Sequence, residues 1–133
     1  MLTRRILLSS VCAVSAGATA LPAHAQAVTF TRYSKGTFDR MIAAGGPVFV
    51  HVHADWCPTC RAQLSSFNQI GASGFGNAQM VRVDFDADKA FLTEHNVRSQ
   101  STILIFRGGR EVARLVGQSD RAAIEQALKA LSA

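Results

Sequence analysis

Two cysteines separated by two residues, Cys57 and Cys60, are the side chains best suited to chemistry in this sequence. A disulfide between them would close so small a loop that it would constrain the unfolded chain little, which argues against a purely structural bridge. The spacing is typical of redox-active pairs and also of zinc sites. Because a structural zinc site needs further ligands and the sequence has no second cysteine pair, we favour thiol–disulfide chemistry and assign no metal.

The cysteine pair lies at the junction between a predicted strand and a predicted helix. Residues 47–54 alternate as a buried strand does, and residues 61–70 carry apolar side chains at helical spacing. The N-terminus of a helix stabilises a thiolate, the reactive form of cysteine, through its free N–H groups and dipole. We therefore expect Cys57, with a lowered pKa, to attack a disulfide and the more buried Cys60 to resolve the mixed disulfide. Pro58 suits the first helical turn because its missing N–H would be unpaired there.

Alternating strands and helices surround this junction. Apolar periodicity predicts strands at residues 28–33, 47–54, 79–85, 102–106 and 111–116. It predicts helices that begin after Ser34, at Arg61, at Lys89 and after Asp120. Intervening helices imply parallel neighbouring strands, whereas a two-glycine turn makes the last two strands antiparallel. The predicted fold class is α/β, with a central mixed β-sheet flanked by helices on both faces.

A segment typical of a secretory signal precedes this domain. Arg4 and Arg5 are followed by an apolar run rich in small residues, and a small-residue cleavage site ends at Ala25. We expect residues 1–25 to be removed, which leaves residues 26–133 as one domain in the periplasm or outside the cell. The run is short for a retained membrane anchor, which needs about 20 apolar residues. General secretory and twin-arginine export both stay open.

Removal of that segment changes the number of cysteines and the net charge of the chain. Cys12 would be discarded, so the mature chain keeps only the C-x-x-C pair, and an exported compartment permits its disulfide. Loss of Arg4 and Arg5 reduces the 14 basic residues to 12 against 9 acidic residues, a net charge of +3. These charges are scattered along the chain, so we expect no nucleic-acid partner.

Residues 54–61, Ala-Asp-Trp-Cys-Pro-Thr-Cys-Arg, resemble the active-site segment of the thioredoxin-like family. Supporting stretches lie at residues 81–86, 97–102 and 103–109, the last of which is similar to the family's hairpin. The resemblance covers nearly the whole mature chain. It implies a thioredoxin fold and a thiol–disulfide oxidoreductase, and we expect a monomer that needs no cofactor.

The Cys-Pro-Thr-Cys version of the motif looks like that of exported thioredoxin-like proteins that serve cytochrome c maturation. This resemblance implies a periplasmic reductase of disulfides in exported proteins, with a transmembrane thiol reductase as its electron donor. Pro58 and Thr59 are expected to tune the redox potential. Trp56 is expected to belong to both the core and the site, where its ring can cover the cysteine pair and offer an apolar contact to a partner chain.

Ser101 marks a departure from the family, whose members usually place a cis-proline here, before the threonine that corresponds to Thr102. Because a cis bond before a non-proline residue costs several kcal/mol, a trans bond is favoured. We expect both residues to help bind substrate, and the Ser101 hydroxyl could hydrogen-bond the Cys57 thiolate. Loss of the proline can also open the site to metal in this family. The alternative is a tolerated serine in a surface loop.

Two histidines on the strand before the motif form a second departure. His51 aligns with a buried acidic residue that helps deprotonate the resolving cysteine in thioredoxins, and an imidazole could accept that proton. It could equally be a core histidine satisfied by a backbone partner. His53 lies on the same face, where thioredoxins often have an aromatic residue. Together with Cys57 and Cys60, these histidines are the conceivable metal cluster.

Three alternatives to a reductase stay open from the sequence. A dithiol oxidase would use the same two cysteines in the opposite direction, since the direction depends on how strongly the Cys57 thiolate is stabilised. A metal-binding or metal-delivery module would use the cysteine pair with His51 or His53. A disulfide-bonded interaction domain would have no turnover at all.

Overall fold

Five strands form one sheet in the computed structural model, which describes residues 26–132. They are β1 Thr31–Arg32, β2 Val48–His53, β3 Gln79–Asp84, β4 Thr102–Arg107 and β5 Arg110–Val116. Their order across the sheet is β1-β3-β2-β4-β5. Strands β1, β3 and β2 are parallel, whereas β4 is antiparallel to β2 and β5 is antiparallel to β4. The predicted mixed sheet is confirmed.

Four helices cover both faces of this sheet, as predicted. They are α1 Lys35–Ala43, α2 Pro58–Ile70, α3 Lys89–Glu94 and α4 Arg121–Leu128, with short 3₁₀ turns at Ala72–Phe75 and Lys129–Leu131. Helices α1 and α3 pack on one face, and α2 and α4 pack on the other. Among these helices of residues 26–132, none is long and apolar enough to cross a membrane. The predicted signal peptide, residues 1–25, lies outside the described residues.

Strand β2 is the centre of the fold and positions the site. All six of its residues are buried, so its alternating side chains contribute to two separate cores. Its three valines face α1 and α3, whereas Phe49, His51 and His53 lie on the opposite face, towards α2. This division of faces follows the predicted alternation. The strand ends at His53, four residues before Cys57, and thereby brings the motif to the edge of the sheet.

Strand β1 and helix α2 differ most from the bounds that apolar periodicity predicted, whereas strands β2 to β5 agree within one residue. Strand β1 spans only Thr31–Arg32, because only these residues pair with β3 at the sheet edge, while Val28 and Phe30 pack against the core beside α2. Helix α2 begins at Pro58, as the proline in its first turn predicted, and three residues before the apolar spacing begins at Arg61. The apolar spacing missed its first turn, because that turn contains the cysteine motif itself.

Candidate active site

Cys57 occupies the N-cap position of α2, where the chain changes from an extended to a helical conformation. Its sulfur accepts a hydrogen bond from the backbone N–H of Cys60 at 3.1 Å, the role that a serine or aspartate oxygen has at most helix starts. Pro58 follows at the first helical position, as predicted. The helix start therefore directs its unpaired N–H groups at the first sulfur of the motif.

Ser101 contacts both cysteines from the loop before β4. Its Oγ lies 3.1 Å from the Cys57 sulfur and 3.1 Å from the Cys60 sulfur. A hydroxyl has one proton to donate, and Ser101 can donate it to a Cys57 thiolate. Ser101 is 3% exposed, so the interpretation of a tolerated surface serine is wrong.

The backbone at Ser101 is trans and has a positive φ of 63°, a conformation that is unusual for a residue with a β-carbon. Three hydrogen bonds hold it: its N–H donates to the Val52 carbonyl at 2.9 Å, and its carbonyl accepts from Gln63 Nε2 at 2.9 Å and from the Gly117 N–H at 3.0 Å. The buried hydroxyl of Thr102 donates to the Ser99 carbonyl at 2.8 Å. Both predicted substrate-binding side chains thus face inward.

The two sulfurs differ in hydrogen bonding rather than in exposure, since both residues are free thiols and almost fully buried. Burial alone would raise the pKa of Cys57, but hydrogen bonds from the Cys60 thiol, the Ser101 hydroxyl and the backbone N–H groups of Cys60 and Thr59 outweigh it and lower that pKa. Burial raises the pKa of Cys60, and its hydrogen bond to Cys57 raises it further. This asymmetry makes Cys57 the better thiolate.

Trp56 is not the core residue that the sequence predicted. Its side chain is 56% exposed, and its indole N–H donates to the Asp86 carboxylate at 2.8 Å. A large apolar ring held at the surface next to the motif suits contact with another chain better than protection of the sulfurs.

The two histidines are buried beneath α2. Gln63 donates its amide N–H groups to the carbonyls of Ser101 and Gln118, so its Oε1 is the atom that faces His51 Nε2 at 2.8 Å and accepts its proton. Burial lowers the pKa of His51 to about 3, and burial also lowers the pKa of His53. His51 is therefore neutral at pH 7, and its partner is a glutamine side chain rather than the backbone.

Gln63 is the functional residue that sequence reasoning missed. It joins α2 to the Ser101 loop and to His51, and it is fully buried. Its position three residues after Cys60 and four before Phe67 places it on the inward face of the helix. The helical periodicity used for the apolar residues would have identified this buried amide.

Comparison with known proteins places the chain in a family. The family model for thioredoxin matches residues 29–130. Mouse mitochondrial thioredoxin is 31% identical, over 86% of this chain and 75% of that protein. The structure of Trxlp from Edwardsiella tarda EIB202 is 35% identical, with a TM-score of 0.68 over 73% of this chain and 95% of that chain. Thioredoxin from Malassezia sympodialis is 23% identical with a TM-score of 0.68, over 79% and 92% of the two chains, and supports the fold.

The chain belongs to the thioredoxin family. Its fold and its C-x-x-C motif at a helix start define a thioredoxin-like thiol–disulfide oxidoreductase, as the sequence predicted. Its substrates are expected to be proteins that contain disulfides, in keeping with that family.

Proposed function

We propose that this oxidoreductase is an exported reductase of protein disulfides, with Cys57 as the nucleophile and Cys60 as the resolving thiol. Residues 1–25 would be a signal peptide that is removed, and residues 26–133 would act in the periplasm or outside the cell. The basic pair and the apolar small-residue run at the N-terminus support export.

The observation that carries the proposal is the set of donors around the Cys57 sulfur. The Cys60 N–H and the Ser101 hydroxyl lie within 3.1 Å of it, and they support a thiolate at the start of α2, next to the exposed ring of Trp56. The Cys60 sulfur lies in the helix behind it and has a raised pKa, which suits a thiol that reacts second.

The reaction transfers two electrons from the dithiol to the substrate. The Cys57 thiolate attacks one sulfur of the substrate disulfide, a mixed disulfide forms, and the other substrate sulfur leaves as a thiolate that takes up a proton. Cys60 then loses its proton and attacks the Cys57 sulfur, which releases the second substrate thiol. The substrate is reduced to two thiols, and the enzyme is left with a Cys57–Cys60 disulfide.

We assign His51 no proton transfer in this scheme. A buried imidazole whose pKa lies near 3 is a weak base, so a proton on it at neutral pH would be unfavourable. The leaving thiolate of the substrate is the stronger base and is close to the reacting sulfurs when the Cys60 proton leaves.

A second dithiol must reduce the enzyme again after each turnover. We propose a transmembrane thiol reductase as this donor and the thiols needed for cytochrome c maturation as one use of the electrons. The Cys-Pro-Thr-Cys motif supports both proposals through its likeness to exported thioredoxin-like proteins.

Reduction of insulin disulfides with dithiothreitol tests the chemistry. We expect the wild-type chain to accelerate insulin precipitation, Cys57→Ser to be inactive, and Cys60→Ser to accumulate a mixed disulfide that non-reducing gels detect. A fully active Cys57→Ser variant would refute the assignment of the nucleophile.

The reduction potential tests the direction. A value near that of thioredoxin, about −270 mV, supports a reductase, whereas a value near about −120 mV would mean a stabilised reduced form and a dithiol oxidase. Equilibration of the purified protein against thiol–disulfide buffers of defined potential measures it.

Cell fractionation and N-terminal sequencing test the export. We expect a periplasmic chain that begins at Gln26, and a chain without residues 1–25 should stay in the cytoplasm. Loss of the gene should reduce the amount of holocytochrome c, and added dithiothreitol should restore it. Unchanged holocytochrome c would refute that link and leave the disulfide chemistry intact.

A further inference from the structure

Three possible metal ligands converge beside the reactive sulfur. His51 and His53 lie two residues apart on the same face of β2, and Cys60 faces them from the first turn of α2. The nearest ligand atoms of the three side chains all lie within 4.8 Å of one another, and all three residues are buried. Cys57 is not one of these three residues; its sulfur caps α2.

Both histidines leave one ring nitrogen unused. Nε2 of His51 donates to Gln63 Oε1 at 2.8 Å, and Nε2 of His53 lies 3.2 Å from the Asp55 carboxylate, which can only accept. Each Nδ1 is therefore a bare lone pair, and neither has a hydrogen-bond partner among residues 26–132. Leaving two neighbouring buried acceptors unpaired is unfavourable, and a cation between them would satisfy both.

The hydrogen bonds that the Nε2 atoms of the two histidines make are those expected of metal ligands. Metal-binding histidines usually donate their other N–H to a carboxylate or a carbonyl, which fixes the tautomer and the ring orientation. Gln63 and Asp55 do this here for His51 and His53 respectively.

We propose that His51 Nδ1, His53 Nδ1 and the Cys60 thiolate form a binding site for one copper(I) ion. An ion bound about 2.0–2.3 Å from each ligand atom needs separations of about 3.5–4 Å between those atoms. Side-chain rotations that move the ligand atoms by about 1 Å would therefore bring all three within bonding distance. The sequence analysis favoured no metal for lack of a second cysteine pair. The two imidazoles supply the ligands that a second pair would have supplied.

Charge and ligand number favour copper(I) over a divalent ion. Two neutral imidazoles and one thiolate make a site with a charge of −1, which a monovalent ion neutralises, whereas a buried excess charge would be costly. Arg82, paired with His51 in the register of β2 and β3, forms an ion pair with the Asp55 carboxylate at 3.1 Å, so these two side chains add no net charge to the site. Three ligands with one soft thiolate also suit copper(I), whereas structural zinc takes four.

Binding exchanges a proton for the metal. The Cys60 S–H bond breaks, a sulfur–copper bond forms, and the proton leaves to solvent, with no change in the oxidation state of copper or sulfur. A cavity of about 290 Å³ that borders His53, Asp55 and Arg82 offers access from the surface. Because Cys60 cannot bind copper and resolve a mixed disulfide at once, the ion would inhibit disulfide exchange. This inhibition rests on the proposed function, whereas copper binding itself does not.

An anaerobic titration of the reduced protein with copper(I), against a chromophoric copper(I) chelator, tests the proposal. We expect one ion per chain, and an X-ray absorption spectrum with two nitrogens and one sulfur around copper. Cys60→Ser and His53→Phe should each weaken binding by at least about tenfold. Cys57→Ser should bind copper as the wild type does, although it should be inactive in disulfide exchange. The oxidised protein should bind none.

Two further variants guard against misfolding and nonspecific effects. Asp55→Asn changes a side chain that is 92% exposed, so it should fold normally yet weaken binding about tenfold through His53. His95→Phe removes a histidine outside the cluster and should leave the affinity unchanged. Binding that Cys57→Ser abolishes, or that His53→Phe and Asp55→Asn leave unchanged, would overturn the proposal. Failure to bind copper would leave insulin reduction intact, so the two proposals fail separately.

Discussion

The hydroxyl of Ser101 should control the redox potential of the motif. It lies 3.1 Å from the Cys57 sulfur and is the one side-chain hydroxyl in contact with both thiols among the described residues. Ser101→Ala removes this donor and keeps the β-carbon, so the unusual backbone conformation costs about the same in both proteins. Since the hydroxyl stabilises the thiolate, its loss should raise the pKa of Cys57 and destabilise the reduced form relative to the disulfide.

The size of the effect follows from the strength of one hydrogen bond to a charged group. Such a bond contributes about 1.5–3 kcal/mol, and the lower end applies because the Cys60 N–H still contacts the sulfur. For a two-electron couple, about 1.4 kcal/mol corresponds to about 30 mV. Because the reduced form loses stability, the reduction potential of Ser101→Ala should become more negative by about 30 mV.

Equilibration against dithiothreitol buffers at pH 7, followed by alkylation and gel separation, measures this potential. The pH profile of alkylation in the metal-free protein gives a second reading, and its midpoint should move to higher pH in Ser101→Ala. Ser65→Ala serves as the control, because Ser65 lies on the exposed face of α2, and it should match the wild type. A change below about 5 mV, or about 0.2 kcal/mol, together with superimposed alkylation profiles, would refute the role of the hydroxyl.

Three further variants test other parts of the site. Ser101→Pro should lower the free energy of unfolding in urea by more than about 1 kcal/mol, because proline cannot adopt a φ of 63° and would lose the N–H bond to Val52; a more stable variant would contradict this. Gln63→Leu should lower the free energy of unfolding in the same assay by about 2 kcal/mol, because it leaves the His51 N–H and the Gln118 carbonyl unpaired. An unchanged free energy of unfolding would argue against these bonds. Trp56→Ala should raise KM for insulin while it changes stability by less than about 0.5 kcal/mol, because the ring is exposed; an unchanged KM would exclude a substrate contact.

The sequence predicted the parts of the site that are local in the chain. Cys57 and Pro58 lie in one helical turn directly after a buried strand, so spacing and helix-capping rules were enough to place them. The alternation that put His51 and His53 on the same face of β2 is equally local. For the same reason, the mixed sheet and its covering helices followed from periodicity.

The parts that the sequence did not predict depend on contacts between distant segments. Ser101 reaches Cys57 across 44 residues, and its positive φ has no signature in a serine-rich loop. The exposure of Trp56 could not be read from its type, since a tryptophan beside a buried pair is usually part of the core. The tautomer of His51 depends on the orientation of one glutamine amide, Gln63, which is a property of the folded chain alone.

One chain of hydrogen bonds connects the loop to the histidines. The Ser101 carbonyl accepts from Gln63 Nε2, which leaves Gln63 Oε1 to accept from His51 Nε2. The proton of His51 is thereby held on Nε2, where it faces Gln63 of α2, and Nδ1 is left without a partner among residues 26–132. Ser101 therefore acts on the two sulfurs through its hydroxyl and on the imidazole through its carbonyl. A proline at this position would supply only the carbonyl, so the serine links the hydrogen bonding of the thiols to the tautomer of the histidine.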